Sequence, residues 1–264
     1  MTHHAITPRS PGVDLDAPLP RLWFGDNVFA THLVNGLNLL FPAGERFFVR
    51  SVKHYLDRVD DESLRAQIKG FFGQEGRHAK EHERVFERLE EQGFAVRPFL
   101  RAYEWFAYGV VERVSPPAIR LAATAACEHY TALLAEQALA RDLLDLAHPT
   151  MRALLKWHAA EEIEHRAVAY DVLARVDPRY RTRVAGFAIA SIMRGGFWLL
   201  GFATLIAQDE ARARLAADSR AARNRPRAKR FARGIRDYLR RDFHPSQRPL
   251  DALAAGYLQQ AGLA

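Results

Sequence analysis

Three side chains that lie close together in the sequence could hold a metal ion. His158, Glu162 and His165 are separated by four and three residues, so on a helix that turns about 100° per residue they fall within roughly a 60° arc. The same face continues through apolar residues on both sides. Burying a carboxylate and two imidazoles there without partners costs several kcal/mol per charged group. The pattern predicts a metal or an ion-pair network as the compensating group, and we favour a metal.

Other segments supply further potential ligands, each on the apolar face of a predicted helix. Glu45 and Glu128 are the single charged residues of their faces, and Glu75-x-x-His78 lies in the middle of a long core-facing helix. One Glu from each of two helices and Glu-x-x-His from each of two others is the pattern of ferritin-like di-iron or di-manganese carboxylate bundles. The predicted metal ligands are Glu45, Glu75, His78, Glu128, His158, Glu162 and His165.

Several neighbouring residues have more than one interpretation. Glu161 and Glu164 lie off the ligand face and are expected to be surface charges or to hydrogen-bond a ligand; only a one-residue change in helix register would favour Glu161 as a ligand. His82 follows His78 by one helical turn, so it could be an additional ligand, a hydrogen-bond partner of a ligand or a core histidine. Core packing is the expected role of three nearby aromatic residues, Trp157, Tyr130 and Tyr170.

Helices must position these residues, because no useful strand alternation occurs along the chain. The periodicity, prolines and caps predict helices at Phe24 to Phe41, Ala43 to Arg58, about 62 to 92, Arg97 to Val114, Ala118 to about Ala147, and Pro149 to Val176. We predict an all-α protein: a ferritin-like four-helix bundle with additional C-terminal helices.

Composition narrows the function classes. The single cysteine, Cys127, excludes an intrachain disulfide and a thiolate-based metal site. No apolar signal segment occurs in residues 1–20, which favours a cytoplasmic protein. We predict a flexible N-terminal arm at 1–22, the di-metal bundle at 23–209 and a basic helical extension at 210–264.

The C-terminal part of the chain contains a long apolar segment. Val184 to Ala207 is apolar apart from Arg194 and two hydroxyl residues, and length alone would permit a membrane span. The central arginine disfavours a span, so we expect a buried bundle helix that lines an apolar substrate channel or a homodimer contact. Interfacial membrane attachment is the main alternative.

The excess positive charge of the chain belongs entirely to the C-terminal fifth. Residues 210–264 contain thirteen Lys or Arg against five Asp or Glu, in a chain of net charge +7. Twelve of these basic residues form an Arg-rich tract, interleaved with apolar residues, from Arg212 to Arg241. Such a tract suits an anionic membrane surface, so a peripheral position at the inner membrane face is the alternative localisation. Nucleic acid is a weaker prediction because no nucleic-acid motif accompanies the tract, and a solvated basic helix remains a third interpretation.

Three motifs resemble a known family. The run from Phe41 to Phe48, the segment Gln74 to His78 and the segment Trp157 to His165 are similar to those of the predicted metal-dependent hydrolases, a ferritin-like group. The resemblance covers about Trp23 to Val176 and extends towards Phe243. The extra His158 also resembles a ligand of the di-iron N-oxygenases that convert aryl amines to nitro compounds, which implies that it binds the second metal.

These signals predict a non-haem di-iron oxidase or oxygenase that uses O2 to oxidise a small or lipid-like substrate. The expected cofactors are two iron ions, with manganese as an alternative because it accepts the same ligands. An external electron donor is expected, since no nucleotide-binding fingerprint is present. The alternatives are a binuclear hydrolase, for which zinc would suffice, and a non-catalytic iron-binding or membrane-associated protein.

Overall fold

A computed structural model describes residues 6–140, 142–221 and 225–264 of the chain. In this described part all extended regular elements are helical, apart from one isolated bridge between Phe24 and Ala147. The predicted all-α class is confirmed. The α-helices are α1 (Val28–Asn38), α2 (Phe41–Lys53), α3 (Glu62–Glu91), α4 (Arg97–Glu104), α5 (Glu112–Val114), α6 (Pro117–Leu139), α7 (Pro149–His165), α8 (Val168–Val176), α9 (Tyr180–Gln208), α10 (Leu215–Ala221), α11 (Arg225–Tyr238) and α12 (Asp251–Gln260). A π-helical segment, Trp105–Val111, joins α4 to α5.

Two helix pairs, α2 with α3 and α6 with α7, form the bundle that positions the predicted ligands. One apolar core layer joins residues of α2, α3, α6 and α8 and includes Val52, Phe71, Leu121 and Val172. A second layer, around Met151 and Trp157 of α7, contacts Val85 of α3. The ligand faces of the four helices therefore lie between two fully apolar regions.

Several predicted helix limits differ from the observed ones. The first helix was expected to end at Pro42, but α1 ends at Asn38 and Pro42 lies in the first turn of α2, where a missing N–H is tolerated. The helix predicted to reach Ala147 ends at Leu139. The predicted helix from Pro149 to Val176 is divided between α7 and α8, and the buried Arg166 at this break forms an ion pair with Asp251.

Helix α9 lies on the outside of the bundle rather than within it. It crosses α6 and α1 so closely that the crossings need glycine. A Cβ atom at Gly186 of α9 would collide with Ala122 of α6, and one at Gly36 of α1 would lie 2.7 Å from the Phe202 backbone nitrogen of α9. Its opposite face exposes Ile192 and Leu199, the latter by 63%. By length and composition α9 could cross a membrane, and only 17% of its most apolar window is buried. The expectation that this helix is buried is therefore wrong, whereas the expectation that it lines a channel or a dimer contact stays a prediction.

The described residues towards both ends of the chain pack against the bundle. Leu15 is buried in the layer around Trp157, so the described part of the predicted arm is not free of the bundle. In the C-terminal extension, Tyr238 and Phe243 are buried against α6, and α12 packs on α7. These two aromatic side chains, interleaved in or just after the Arg-rich tract, face protein and cannot enter a membrane. The predicted domain limits remain predictions, and Arg223 of the tract lies outside the described residues.

Candidate metal centre

All seven predicted ligands converge in the interior of the bundle. Glu45 comes from α2, Glu75 and His78 from α3, Glu128 from α6, and His158, Glu162 and His165 from α7. Each of these side chains is buried. Their ligand-type atoms form overlapping groups whose members lie within 4.8 Å of one another: Glu75, Glu128 and His165; Glu45, Glu75 and His78; and His78, His158 and Glu162.

Unpaired polar atoms show that the cluster fits bound cations. Both carboxylate oxygens of Glu45, Glu75 and Glu128 are shielded from solvent and have no hydrogen-bond partner. The same is true of Glu162 Oε2 and of two imidazole nitrogens, His78 Nδ1 and His165 Nε2, although His165 Nε2 lies 3.0 Å from an oxygen of Glu75 and 3.2 Å from one of Glu128. Buried carboxylate oxygens normally have partners, and each unsatisfied one carries a large desolvation cost. Four carboxylates also match the charge of two divalent cations, and carboxylate and imidazole donors suit iron, manganese or zinc.

The cluster is electrostatically strained when no cation offsets its carboxylates. Burial, followed by repulsion from neighbouring carboxylates, raises the pKa of Glu45 and Glu75 well above the ordinary value. Burial also raises the pKa of Glu128 to about 7, although His165 opposes this shift. The surroundings of these carboxylates therefore favour neutralisation of their charge.

The pKa shifts of Glu162 and His165, both on α7, favour the charged form of each side chain. Burial disfavours the charge on both Glu162 and His165, but their mutual attraction and contacts with further ligands outweigh it. The pKa of Glu162 is lowered and that of His165 is raised well above its ordinary value. His165 Nε2 lies 3.0 Å from Glu75 and 3.2 Å from Glu128. His165 Nε2, a predicted ligand atom, therefore faces the carboxylates of α3 and α6.

Outer hydrogen bonds fix the two imidazoles that face the carboxylates. Glu161 Oε2 lies 3.0 Å from His78 Nε2, so this nitrogen donates its proton and Nδ1 faces the cluster. Gln74 Oε1 accepts from His165 Nδ1 at 2.8 Å, which orients Nε2 towards Glu75 and Glu128. Such partners set the tautomer and orientation of metal-binding histidines. Glu161 is fully buried, so of the two interpretations of this residue the structure favours a hydrogen-bond partner of a ligand over a surface charge.

Arg9 of the N-terminal arm contacts Glu161, which orients His78, and the neighbouring Glu164. Its backbone N–H donates to Glu161 at 2.9 Å, and its guanidinium donates to Glu164 at 2.7 and 3.1 Å. Glu164 also accepts from Gln74 at 2.8 Å. Neither Arg9 nor Gln74 was predicted to orient a metal-binding residue. Gln74 directly precedes Glu75 in a quoted motif, whereas no local signal marks Arg9, which is 152 residues from Glu161.

His82 is hydrogen-bonded on both ring nitrogens. Nδ1 contacts Asn38 of α1, and Nε2 lies 2.5 Å from His158 Nδ1. His158 Nε2 in turn faces Glu162 at 2.8 Å. Of the three interpretations, the structure favours a hydrogen-bond partner that orients His158, although His82 also belongs to a ligand-type group with Glu45 and His158.

The three aromatic residues pack as expected. Trp157 is fully buried, with its ring centroid 4.9 Å from that of His78. The Tyr130 hydroxyl contacts Ser191, and the Tyr170 hydroxyl donates to the Phe243 carbonyl. Trp157 therefore contributes an apolar wall to the cluster, while both tyrosines have hydrogen-bond partners in α9 or the C-terminal extension.

Comparison with protein families gives a match over most of the chain. The sequence model described as "Predicted metal-dependent hydrolase" matches residues 7–249. No curated protein and no solved structure matches the chain. The matched region includes all four ligand-bearing helices and also Arg9. The expected likeness to ferritin-like di-iron proteins and to arylamine N-oxygenases receives no support from these comparisons and stays a prediction.

Proposed function

This chain belongs to the family of predicted metal-dependent hydrolases, and on that premise we propose that it is a binuclear metal enzyme that hydrolyses a small or lipid-like substrate. The single observation that carries the metal centre is the set of buried carboxylate oxygens without partners on three separate helices. The family description favours hydrolysis over the oxygenase reaction expected from the ligand pattern.

Some side chains of the cluster would bind the cations, and others orient the metal-binding side chains. The metal-binding side chains would be the four glutamates, with His78, His158 and His165. Bound cations would supply Lewis acidity and would lower the pKa of a coordinated water. Glu161 holds the proton on His78 Nε2, Gln74 orients His165, and the buried Trp157 excludes water from one side.

An O2-dependent oxidase is the second candidate, because the donor set favours it. The cluster offers carboxylates and imidazoles, as in ferritin-like di-iron bundles. Two of the glutamates and two of the histidines form the two Glu-x-x-His motifs. Two iron ions and an external electron donor would then be required. Zinc would suffice for the hydrolase, so the identity of the metal separates the two candidates.

The test compares metals and oxygen in one preparation. Protein stripped with chelator is reloaded with zinc without air, or with ferrous iron in air, and is assayed on nitrophenyl esters and a nitrophenyl phosphodiester while O2 is monitored. We expect hydrolysis with zinc in the absence of O2, its loss in Glu75→Gln, and its retention in Glu81→Gln, a half-buried carboxylate on the same helix paired with Arg84.

Other outcomes would overturn the hydrolase. O2 consumption only with iron would select the oxidase. Neither activity, with uptake of many irons per chain, would select a non-catalytic iron-binding protein.

A cytoplasmic position with peripheral contact to an anionic membrane is also part of the proposal. The exposed apolar face of α9 supports it, as do exposed arginines of the Arg-rich tract such as Arg233 and Arg236. A homodimer formed through the α9 face is the competing use of the same surface.

A further inference from the structure

An apolar cavity lies beside the metal cluster. It is bounded by α2, the π-helical segment, α6 and α9, and its lining includes Leu40, Phe41, Phe48, Tyr103, Met193 and Arg194. Its volume is about 90 Å³. A single water needs roughly 10–15 Å³ on this scale, so the cavity has room for a group of several heavy atoms. Small-molecule sites are commonly apolar hollows with a few converging polar groups.

The cavity and the metal cluster share a wall. The Phe41 ring lines the cavity, and its centroid lies 4.7 Å from that of His158 and 4.8 Å from that of His82. Gly44 and Cys127 also line the cavity, and each is followed in the sequence by a predicted ligand, Glu45 or Glu128. The cavity therefore directly adjoins the parts of α2 and α6 that carry Glu45 and Glu128.

Arg194 is the unusual residue of this cavity. Its Nη2 atom is shielded from solvent and has no hydrogen-bond partner, and its guanidinium lies 5.9 Å from the Phe41 ring centroid. Among the described residues no carboxylate lies within ion-pair distance of it.

Arg194 is half-buried, and its Nη2 is a buried N–H donor without an acceptor, which is costly in an apolar site. A carboxylate fits this need best, because two parallel N–H donors of arginine match its two oxygens. An apolar cavity around such a cation selects a molecule with a hydrocarbon or aryl body and one anionic end.

We propose that this cavity is the substrate pocket and that Arg194 binds the carboxylate of a small amphiphilic substrate or product. The inference rests on the proposed function, since the pocket serves the neighbouring metal cluster. It narrows the substrate class to molecules that carry, or release, a carboxylate on an apolar body of several heavy atoms.

Binding of hexanoate tests the pocket independently of turnover. Calorimetric titration of the purified full-length protein compares hexanoate with 1-hexanol, which has the same chain length and no charge. We expect hexanoate to bind at least about tenfold more tightly, since a hydrogen bond between charged groups adds this much or more. Arg194→Met should abolish the difference, whereas Arg120→Met, at another arginine that lines the cavity, should preserve it.

The outcomes separate this inference from the hydrolase proposal. Equal binding of hexanoate and 1-hexanol, or an unchanged preference in Arg194→Met, would overturn the pocket even if the protein hydrolyses esters. An Arg194-dependent preference in a protein without hydrolytic activity would keep the pocket and reject the reaction. The unfolding temperatures of Arg194→Met and Arg120→Met are measured alongside; an Arg194→Met protein that unfolds within a few degrees of the wild type shows that loss of folding does not explain lost binding.

Discussion

Replacing Glu128 by glutamine should stabilise the metal-free protein and destabilise the metal-loaded one. Burial raises the pKa of Glu128 from 4.5 to about 7. A raised carboxyl pKa means that the folded state holds the proton more tightly than the unfolded state. The penalty for ionising Glu128 is therefore absent below pH 4.5, grows as the pH rises towards 7, and is complete above pH 7.

The size of this penalty follows from the shift. About 2.5 pH units at 1.36 kcal/mol per unit give roughly 3 kcal/mol in the free energy of unfolding. Without metal, the free energy of unfolding of Glu128→Gln should therefore be higher than that of the wild type by up to about 3 kcal/mol at pH 8. At pH 5 the two free energies should be nearly equal. A cation at a thousand times its dissociation constant adds about 4 kcal/mol to the wild type. The variant, with one anionic ligand fewer, should gain less, so the order of stability should reverse.

Denaturant unfolding at pH 5 and pH 8, with chelator or with added zinc, measures all these quantities. Glu136→Gln is the matched control, because this half-exposed carboxylate of α6 pairs with Arg248 outside the cluster. It should show no such reversal. The reasoning is refuted if metal-free Glu128→Gln is less stable than wild type at pH 8, since Glu128 would then be a structural ion-pair partner.

Three further predictions address the outer shell, the surface and the packing. Glu161→Gln should weaken metal affinity roughly 10- to 100-fold in a competitive chelator titration, because its carboxylate holds the His78 proton; unchanged affinity would contradict that role. Leu199→Asp should reduce co-sedimentation with vesicles of anionic lipid without changing the circular dichroism spectrum, whereas equal sedimentation would remove α9 from the membrane contact. Gly36→Ala should lower the free energy of unfolding by roughly 1–3 kcal/mol, because its methyl group would lie 2.7 Å from the Phe202 nitrogen; a neutral result in denaturant unfolding would mean that α1 and α9 do not cross so closely.

The ligand cluster could be predicted because its signal is local. Spacings of three and four residues fix which side chains share a helix face, so Glu75 and His78, or Glu162 and His165, could be paired without a structure. Which single glutamate meets them depends on helix packing, but a lone charge on an apolar face already limits the choice, as Glu45 and Glu128 show.

Features set by distant contacts could not be predicted in the same way. Arg9 reaches Glu161 across 152 residues, and nothing in its local sequence indicates this. Apolar content alone does not distinguish a buried helix from one with an exposed apolar face. For this reason the prediction that α9 is buried was wrong. The aromatic residues interleaved with arginines suggested membrane insertion, but Tyr238 and Phe243 are buried against α6.

Anomalous X-ray scattering from crystals of the purified, metal-loaded protein tests the central claim most directly. We predict two metal peaks per chain inside the bundle, with Glu45 and Glu128 contributing oxygen ligands from different helices. Absence of any peak between these residues, or a single ion bound only at the protein surface, would contradict the binuclear centre.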